Sequence, residues 1–313
     1  HYNKINDAAL RRNYFYQRRA YMSIFEGSAV ALVTPFTKDG INFSALKRLL
    51  DFQLGNGTDA LVICGTTGEP ATMTLEEKHS VMKYAVDYVA GRKPVILGTG
   101  GNNTSSVITE SKYAQSLGAD ALLIVTPYYN KCSQDGLVKH FFAVADAVEL
   151  PIIIYNVPGR TGVNITPATL ARLAEHPNIQ AIKEASGNIS QIAEMARLVK
   201  GKMDLYSGND DQIVPILSLG GKGVISVLAN VAPQAAHDIC ASYLAGDVKT
   251  ACDLQLHYNP LNSALFSDVN PIPVKTALNL MGFEAGPLRL PLSDMSAQGE
   301  EALRKVLQSY DLI

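Results

Sequence analysis

The chain has 313 residues, a length that suits one large domain or two ordinary ones. Apolar residues make up 47% and charged residues 18%, and the formal net charge is −2, so a polyanion-binding surface is not expected. Because no apolar run reaches the roughly 18–20 residues that span a bilayer, the sequence excludes an integral membrane protein.

The four cysteines are scattered along the chain and form no C-x-x-C pair; they are Cys64, Cys132, Cys240 and Cys252. Scattered thiols in a chain of this size indicate free cysteines in a reducing compartment. We therefore expect a cytoplasmic protein that contacts neither nucleic acid nor a membrane.

The first 21 residues differ in composition from the rest. They carry five basic side chains against the single acid Asp7, a local net charge of +4 (5 − 1). They contain no apolar core of the kind that a secretory signal requires. Since the segment lacks an initiator methionine and is followed by Met22, we expect residues 1–21 to be a vector-derived or disordered leader. The folded part is therefore expected to begin near Met22.

Eight short runs rich in β-branched residues follow one another from Ala29 onward. Each run is followed by a polar or glycine-bearing turn and then by a stretch with helical periodicity. The runs are almost continuously apolar, which is typical of parallel strands covered by helices. The predicted strands are Ala29–Phe36, Ala60–Glu69, Pro94–Gly100, Ala121–Asn130, Pro151–Pro158, Ile179–Ser186, Asp204–Asp210 and Gly223–Asn230.

The segments between these runs carry helical signals. In Phe43–Gly55, leucines recur at helical spacing and a glycine ends the segment. Thr74 and Glu77 form the S/T-x-x-E pattern of a capping box, which predicts that a helix begins after Thr74. Thr166 followed by Pro167 predicts another helix start.

The alternation of strands and helices predicts the α/β class. Eight strand–helix units within about 220 residues favour a (β/α)8 TIM barrel. A doubly wound parallel sheet is the alternative, although no G-x-G-x-x-G follows the first strand. Beyond Gly246 the pattern is helical and without a strand. The predicted division is a leader at 1–21, a catalytic barrel at 22–246 and a C-terminal helical appendage at 247–313.

Lys183 lies within the sixth predicted strand, and TIM barrels place their active sites at the carboxyl ends of the strands. A lysine in an apolar strand must either pair with an acid or lose its charge, because burial disfavours the ammonium form. A neutral amine attacks carbonyl carbons, so Lys183 is a candidate for Schiff-base formation. The alternative is a structural contact with Glu184, but adjacent strand residues point to opposite faces.

Hydroxyl groups are the candidate proton carriers near Lys183. None of the six histidines lies at a predicted strand end, and no cluster has the spacing of a metal site. Tyr155, Thr67 and Tyr129 lie at strand ends and would form a hydrogen-bonded relay. Such residues are individually more often core tyrosines and turn threonines, so the catalytic interpretation depends on their convergence around Lys183.

Two features favour recognition of small carboxylates. Thr66 and Thr67 lie within Gly-Thr-Thr-Gly-Glu, a tight turn that offers backbone N–H groups and hydroxyls at a helix start. Arg160 follows the fifth strand and would grip a carboxylate through two parallel hydrogen bonds; its alternative is a surface role. Asp210 and Asp211 have no identifiable third oxygen ligand, so we expect no metal site and assign them a solvated or capping role.

Together these ordered motifs resemble the dihydrodipicolinate synthase family of pyruvate-dependent, lysine Schiff-base lyases. The similarity extends from about Phe25 to Leu292. The resemblance implies an enzyme of lysine and diaminopimelate biosynthesis that needs no cofactor and condenses pyruvate with L-aspartate 4-semialdehyde to give 4-hydroxy-tetrahydrodipicolinate. The motifs are GTTGE at 65–69, TPYYN at 126–130, YNVPGRTG at 155–162, IKEASGN at 182–188, SGND at 207–210, GVISV at 223–227, NPIPVK at 270–275 and LRLPL at 288–292.

The resemblance also implies which side chains do the chemistry. Lys183 would form the imine with pyruvate, and Tyr155 would donate and accept protons through Thr67 and Tyr129. Tyr129 would reach the site from the other subunit of a dimer. We therefore expect at least a homodimer, and a homotetramer is equally compatible with this arrangement.

The remaining site residues follow from the same resemblance. Thr66 and Thr67 would hold the pyruvate carboxylate, and Gly208 and Ile225 would line the pocket. Arg160 would hold the carboxylate of the semialdehyde, and the sialic-acid lyases of the same superfamily carry no arginine at this position.

One departure from the family concerns feedback inhibition. Family members that lysine inhibits place a histidine and a glutamate in an allosteric pocket, where this chain has Lys78 and Ser106, although Asn102 and Tyr128 are kept. A cation at Lys78 would repel the ammonium groups of bound lysine, and Ser106 removes an anionic partner. We therefore predict weak or absent inhibition by lysine.

Two other functions stay open on the sequence. The chain could be another pyruvate-dependent aldolase that acts on a different 2-keto acid, although Arg160 argues against this. It could also be a non-catalytic pyruvate-binding sensor, although a sensor has no need of Lys183 together with a hydroxyl relay.

Overall fold

A computed structural model describes residues 23–313, so the leader predicted at 1–21 lies outside the described residues. Eight parallel strands follow the chain order: β1 Gly27–Ala31, β2 Ala60–Ile63, β3 Val95–Gly98, β4 Ala121–Val125, β5 Ile152–Asn156, β6 Ile179–Glu184, β7 Asp204–Ser207 and β8 Gly223–Ser226. They close into a barrel because β8 pairs with β1. The predicted TIM barrel is confirmed, and the alternative of an open, doubly wound sheet is wrong.

Glycine allows the barrel to close. Gly223 at the start of β8 is the register partner of Gly27 at the start of β1. A Cβ atom at position 223 would lie 1.8 Å from the carbonyl oxygen of Gly27, closer than any side chain tolerates. β1 and β8 can therefore meet at this point only because residue 223 has no side chain.

Each predicted strand ran past the carboxyl end of the observed one. The first was expected to reach Phe36, whereas β1 ends at Ala31, and the second was expected to reach Glu69, whereas β2 ends at Ile63. The segment after β1 remains buried, with Leu32 2% exposed. The loops above the barrel are thus as apolar as the strands, and hydrophobicity alone does not show where pairing stops.

A helix covers each strand from outside. The helices are α1 Phe43–Gly55, α2 Leu75–Val89, α3 Thr104–Ser116, α4 Gln134–Ala145, α5 Pro167–Leu173, α6 Ile189–Val199, α7 Ile213–Ser218 and α8 Pro233–Leu244. The predicted helix over Phe43–Gly55 is confirmed. Thr74 and Glu77 form the expected capping box at the start of α2, and Thr166 caps α5 with Pro167 in its first turn.

The core has two layers. The inner layer fills the barrel with residues such as Ala29, Ala181 and Ile225, all fully buried. The outer layer lies between the strands and helices and is built from larger aliphatic side chains such as Leu49 and Leu170.

Three further helices follow the barrel: α9 Val248–Leu265, α10 Ile272–Leu280 and α11 Ala297–Ser309. The amide of Gln255 in α9 donates to the carbonyl oxygen of Asp210 at 2.8 Å and so ties α9 to the end of β7. Among residues 23–313, no helix combines the length and apolar character needed to cross a membrane.

Candidate active site

Lys183 lies inside the barrel and is 5% exposed. Its register partners are Tyr155 on β5 and Tyr206 on β7. The Nζ atom of Lys183 lies 4.2 Å from the centre of the Tyr155 ring. The carboxylate of Glu184 accepts instead from the Asn156 amide, at 2.9 Å, so the alternative of a structural Lys183–Glu184 contact finds no support. The Lys183 amine is therefore buried inside the barrel, beside the Tyr155 ring.

The surroundings of Lys183 favour its neutral form. Burial lowers the pKa of Lys183 to about 8, the negative charge of Asp210 opposes this, and the nearby Arg160 charge adds to it. An amine with a pKa near 8 is neutral in roughly a tenth of molecules at pH 7. That fraction is large enough to supply a nucleophile toward a carbonyl group.

Tyr155 keeps its proton at neutral pH. Burial raises the pKa of Tyr155 to about 12, although the Arg160 charge and a hydrogen bond with the Thr66 side chain oppose this effect. A protonated phenol beside the amine can donate a proton and later take it back. Thr66 and Tyr155 both line the cavity above the barrel.

Thr67 occupies a different place from the one expected in the relay. Its hydroxyl oxygen accepts a hydrogen bond from the Asn270 amide at 3.0 Å. Thr66–Gly68 forms a single 3₁₀ turn, and successive side chains of such a turn point in directions about a third of a circle apart. Two adjacent threonines therefore face different partners, and the structure brings Thr66, rather than Thr67, to Tyr155.

Tyr129 is not brought to Tyr155 within the described chain. It is 90% exposed in the segment after β4, and its φ of 70° is unusual for a residue with a side chain. The neighbouring Tyr128 contributes to the wall of the cavity above the barrel. Nearly the whole Tyr129 side chain is therefore accessible to another molecule at this surface.

A cavity of about 470 Å³ lies above the barrel, lined by Thr66, Tyr155, Arg160 and Asn270 among others. Arg160 sits on the single helical turn Pro158–Thr161 after β5, and one of its terminal nitrogens donates to the Asn270 carbonyl oxygen at 3.1 Å. A guanidinium carries five N–H groups, so the others can meet an anion in the cavity.

Gly208 lies beside Lys183, and Ile225 lies in the inner layer of the barrel; their place in the pocket lining stays a prediction. A Cβ atom at position 208 would stand 3.1 Å from the Cε atom of Lys183, so glycine here gives the lysine side chain its room. Ile225 is fully buried and packs in the inner layer of the barrel with Tyr155.

Asp210 is buried rather than solvated, at 2% exposed. One carboxylate oxygen accepts from the backbone N–H groups of Val227 and Leu228, at 2.9 and 3.0 Å, and the other has no hydrogen-bond partner among the described residues. Burial raises the pKa of Asp210. The expected capping role is confirmed for Asp210, whereas Asp211 is exposed, as the expected solvated role requires. Within residues 23–313, no three or more His, Cys, Asp or Glu side chains could together hold a metal ion.

Asn270 belongs to the site although it was not singled out among the candidates. It lies beyond the barrel, just before α10, donates to Thr67 and accepts from Arg160. It therefore joins the turn after β2 to the arginine after β5. Its signal in the sequence was the NPIPVK segment, which carried the family resemblance without indicating a contact.

Comparison with known proteins agrees with this geometry. Residues 24–310 match the model of the dihydrodipicolinate synthetase family. The chain belongs to the dihydrodipicolinate synthetase family. The match includes α9, α10 and α11, so the C-terminal helices are part of what defines this family.

Similar proteins carry names of the same kind. A "4-hydroxy-tetrahydrodipicolinate synthase" of Thermoanaerobacter sp. (strain X514) is 56% identical over 293 residues, 93% of this chain and 99% of that protein. A "4-hydroxy-tetrahydrodipicolinate synthase 1" of Clostridium acetobutylicum is 57% identical over 292 residues, 93% of this chain and 100% of that one. The crystal structure of dihydrodipicolinate synthase from Thermotoga maritima superposes with a TM-score of 0.91 at 42% identity, covering 93% and 100% of the two chains.

Proposed function

We propose that this chain is a lyase that condenses pyruvate with L-aspartate 4-semialdehyde to give 4-hydroxy-tetrahydrodipicolinate. The observation that carries the proposal is the Lys183 amine, buried at the carboxyl end of β6 and 4.2 Å from the Tyr155 ring. The names of relatives more than half identical over their full length agree with this activity.

The first half of the reaction activates pyruvate. The neutral amine of Lys183 adds to the keto carbon, and loss of the keto oxygen as water leaves a protonated imine. The imine withdraws electrons from the adjacent methyl group, so that removal of one methyl proton gives an enamine. A lowered pKa of Lys183 supplies the neutral amine for the first step.

The second half joins the two substrates. The enamine carbon attacks the aldehyde carbon of the semialdehyde, and the aldehyde oxygen takes up one proton and becomes the 4-hydroxyl group. The amino group of the bound semialdehyde then attacks the imine carbon, which closes the ring. The C–N bond to Lys183 breaks, and the lysine leaves as the free amine.

Each of these steps moves a proton, and we assign that work to Tyr155, Thr66 and Tyr129. Tyr155 lies against the amine and stays protonated at neutral pH. Thr66 hydrogen-bonds its phenol and therefore replaces Thr67 in the relay expected from sequence. Thr67 keeps a supporting place through its bond with Asn270.

Two anion sites select the substrates. The first N–H groups of a helical turn have no partner within it, so the turn at Thr66 and Thr67 suits the pyruvate carboxylate. Arg160 would grip the semialdehyde carboxylate at the other side of the cavity. Gly208 and Ile225 shape the space around the imine.

We also propose that two copies of the chain share their sites. Tyr129 is 90% exposed, and two other large apolar side chains are strongly exposed as well, Leu75 at 57% and Leu290 at 83%. An exposed group of this kind is typical of a subunit interface. A homodimer is the smallest assembly in which Tyr129 of one subunit could complete the relay of the other, and a homotetramer of two dimers satisfies the same requirement.

We place the enzyme in the cytoplasm. All four cysteines are free thiols, two of them buried, and none is paired. Unpaired thiols are typical of a reducing compartment.

Borohydride reduction in the presence of pyruvate tests the proposal. The expected result is a covalent three-carbon adduct on the peptide that contains Lys183, located by mass spectrometry. Rates with aspartate semialdehyde and with an uncharged aldehyde are then compared, and the charged aldehyde should react far faster. Pyruvate binding without an adduct would instead support a sensor, and equal rates with both aldehydes would support a different aldolase.

A further inference from the structure

A fully buried ion pair joins the C-terminal helices to the catalytic end of the barrel. The Nζ atom of Lys275 in α10 lies 2.8 Å from Oε1 of Glu69, and both side chains are 1% exposed. The same ammonium donates to the Pro287 carbonyl oxygen at 2.9 Å and lies 4.2 Å from the centre of the Phe36 ring. The two charges are 206 residues apart in the chain.

Arg289 completes this junction. Its guanidinium lies 4.0 Å from the Phe36 ring centre. Phe36 therefore makes two cation–π contacts, one with Lys275 and one with Arg289. The guanidinium pairs with both carboxylate oxygens of Glu77 in α2, at 2.7 and 2.6 Å, and donates to the Thr72 carbonyl oxygen at 3.1 Å. Its backbone N–H lies 3.4 Å from Oε2 of Glu69.

Glu69 directly follows the turn Thr66–Gly68 and is its C-cap residue. Its backbone N–H donates to the Thr66 carbonyl oxygen at 3.1 Å, and its φ of 53° is left-handed. A residue with a side chain adopts this conformation only where its surroundings hold it there. The buried carboxylate supplies that hold, because its ammonium partner lies in α10 and both side chains are only 1% exposed.

Resting on the proposed function, we infer that Glu69 and Lys275 are positioning residues for the pyruvate carboxylate. Their pairing fixes the turn at Thr66–Gly68, and that turn sets the direction of the Thr66 hydroxyl toward Tyr155. The C-terminal helices are thus part of the catalytic apparatus, although none of their charged groups touches substrate.

Paired variants separate positioning from simple stability. Removing one member of a buried ion pair leaves an uncompensated charge, whereas removing both does not. The test variant is therefore the double substitution Glu69→Gln/Lys275→Met. The control is Asp59→Asn/His237→Gln, which removes a half-buried pair of equal length, 2.8 Å, at the amino ends of the strands and away from the site.

Both double variants are expected to keep a melting temperature within a few degrees of the parent. The site variant should lose at least about tenfold in kcat/KM for pyruvate and in the rate of borohydride trapping, with the KM for the semialdehyde changed less than about threefold. The control should keep all three values within about twofold.

An unchanged kcat/KM for pyruvate in the folded site variant would overturn the inference, as would an equal loss in the control. If the site variant unfolds at the assay temperature, it is compared with the parent and the control at reduced temperature, and the same selective loss of kcat/KM for pyruvate is required. Borohydride trapping of Lys183 with pyruvate is measured in the parent in parallel. No adduct in the parent would contradict the proposed function itself, independently of the role of Glu69 and Lys275.

Discussion

Tyr155 and Lys183 are register partners on β5 and β6, and the tyrosine ring lies against the lysine amine at 4.2 Å. Burial shifts the pKa of the two groups in opposite directions, and in both cases toward the neutral form: to about 12 for Tyr155 and about 8 for Lys183. A neutral amine and a neutral phenol side by side are what imine formation requires, since one attacks and the other supplies a proton.

The first prediction is a loss of imine formation below about pH 8. Since only the neutral amine reacts and the pKa of Lys183 is about 8, the trapping rate with pyruvate should fall about tenfold for each pH unit below that value. It should be level above it, because Tyr155 keeps its proton until about pH 12. Rates of borohydride trapping between pH 6 and 10 measure this directly. A rate independent of pH over that range would contradict it.

The control for this prediction is Asp210→Asn. The Asp210 charge raises the pKa of Lys183, so its removal should move the fall in rate to lower pH. The asparagine oxygen still accepts from the backbone N–H groups of Val227 and Leu228, so the loop is expected to stay in place. A fall that moves to higher pH would show that the two groups do not interact as described.

The second prediction distinguishes the two adjacent threonines. Thr66→Val removes the hydroxyl that hydrogen-bonds Tyr155, and kcat should fall about 100-fold, the lower end of the range for a lost proton-transfer group. Thr67→Val removes only the bond to Asn270 and should cost about tenfold or less. Steady-state kinetics of the two variants decides between them. The reverse order of losses would restore Thr67 to the relay.

The order of strands and helices was readable from the sequence, because each buried parallel strand is a run of β-branched residues between turns. Lys183 could also be predicted as a candidate, since a charged residue inside an apolar run must either pair with an acid or lose its charge. The ends of the strands were not readable. Leu32 is almost as buried after the strand as Val30 is in it, so burial does not mark where the strand ends.

The partners of Thr66, Thr67 and Lys275 depend on local geometry and distant contacts. Which threonine faces Tyr155 is set by a 3₁₀ turn between left-handed residues at Cys64 and Glu69. Neither residue is a glycine, so no sequence signal announced those conformations. The Lys275–Glu69 pair joins residues 206 positions apart, and a single sequence does not show which distant residues come into contact.

The third prediction concerns Arg160→Gln. Loss of a charge-assisted carboxylate bond, worth about 1.5–3 kcal/mol, should raise the KM for the semialdehyde by roughly 10- to 100-fold. Trapping with pyruvate alone should change little when measured at about pH 9 or above, where Lys183 is mostly neutral with or without the Arg160 charge. Equal losses for both substrates would mean that Arg160 supports the site as a whole.

The fourth prediction is weak or absent inhibition by lysine. The Lys78 ammonium lies 3.0 Å from a carboxylate oxygen of Glu110, and both side chains are mostly buried, so a fixed cation stands where the family pocket has a histidine. Ser106 offers no negative charge to an incoming ammonium group. Steady-state rates with added L-lysine measure the effect, and half-inhibition at a sub-millimolar concentration would refute the prediction.

The fifth prediction is complementation between two inactive variants. Tyr129→Phe lacks the exposed hydroxyl, and Lys183→Ala lacks the amine. In a hybrid dimer, the subunit with Lys183 would receive Tyr129 from its partner and regain a complete site, whereas the other site would lack both groups. A purified hybrid, made with two different affinity tags, should therefore show about half the parent activity.

The two parent homodimers, each carrying one substitution, provide the controls, and both should be at least about 100-fold less active than the unsubstituted enzyme. A second hybrid places both substitutions on one subunit beside an unsubstituted partner. There the site with Lys183 receives a side chain without the hydroxyl at position 129 and should stay inactive, although that subunit is itself unsubstituted. Activity in this second hybrid with none in the first would show that Tyr129 acts within its own subunit.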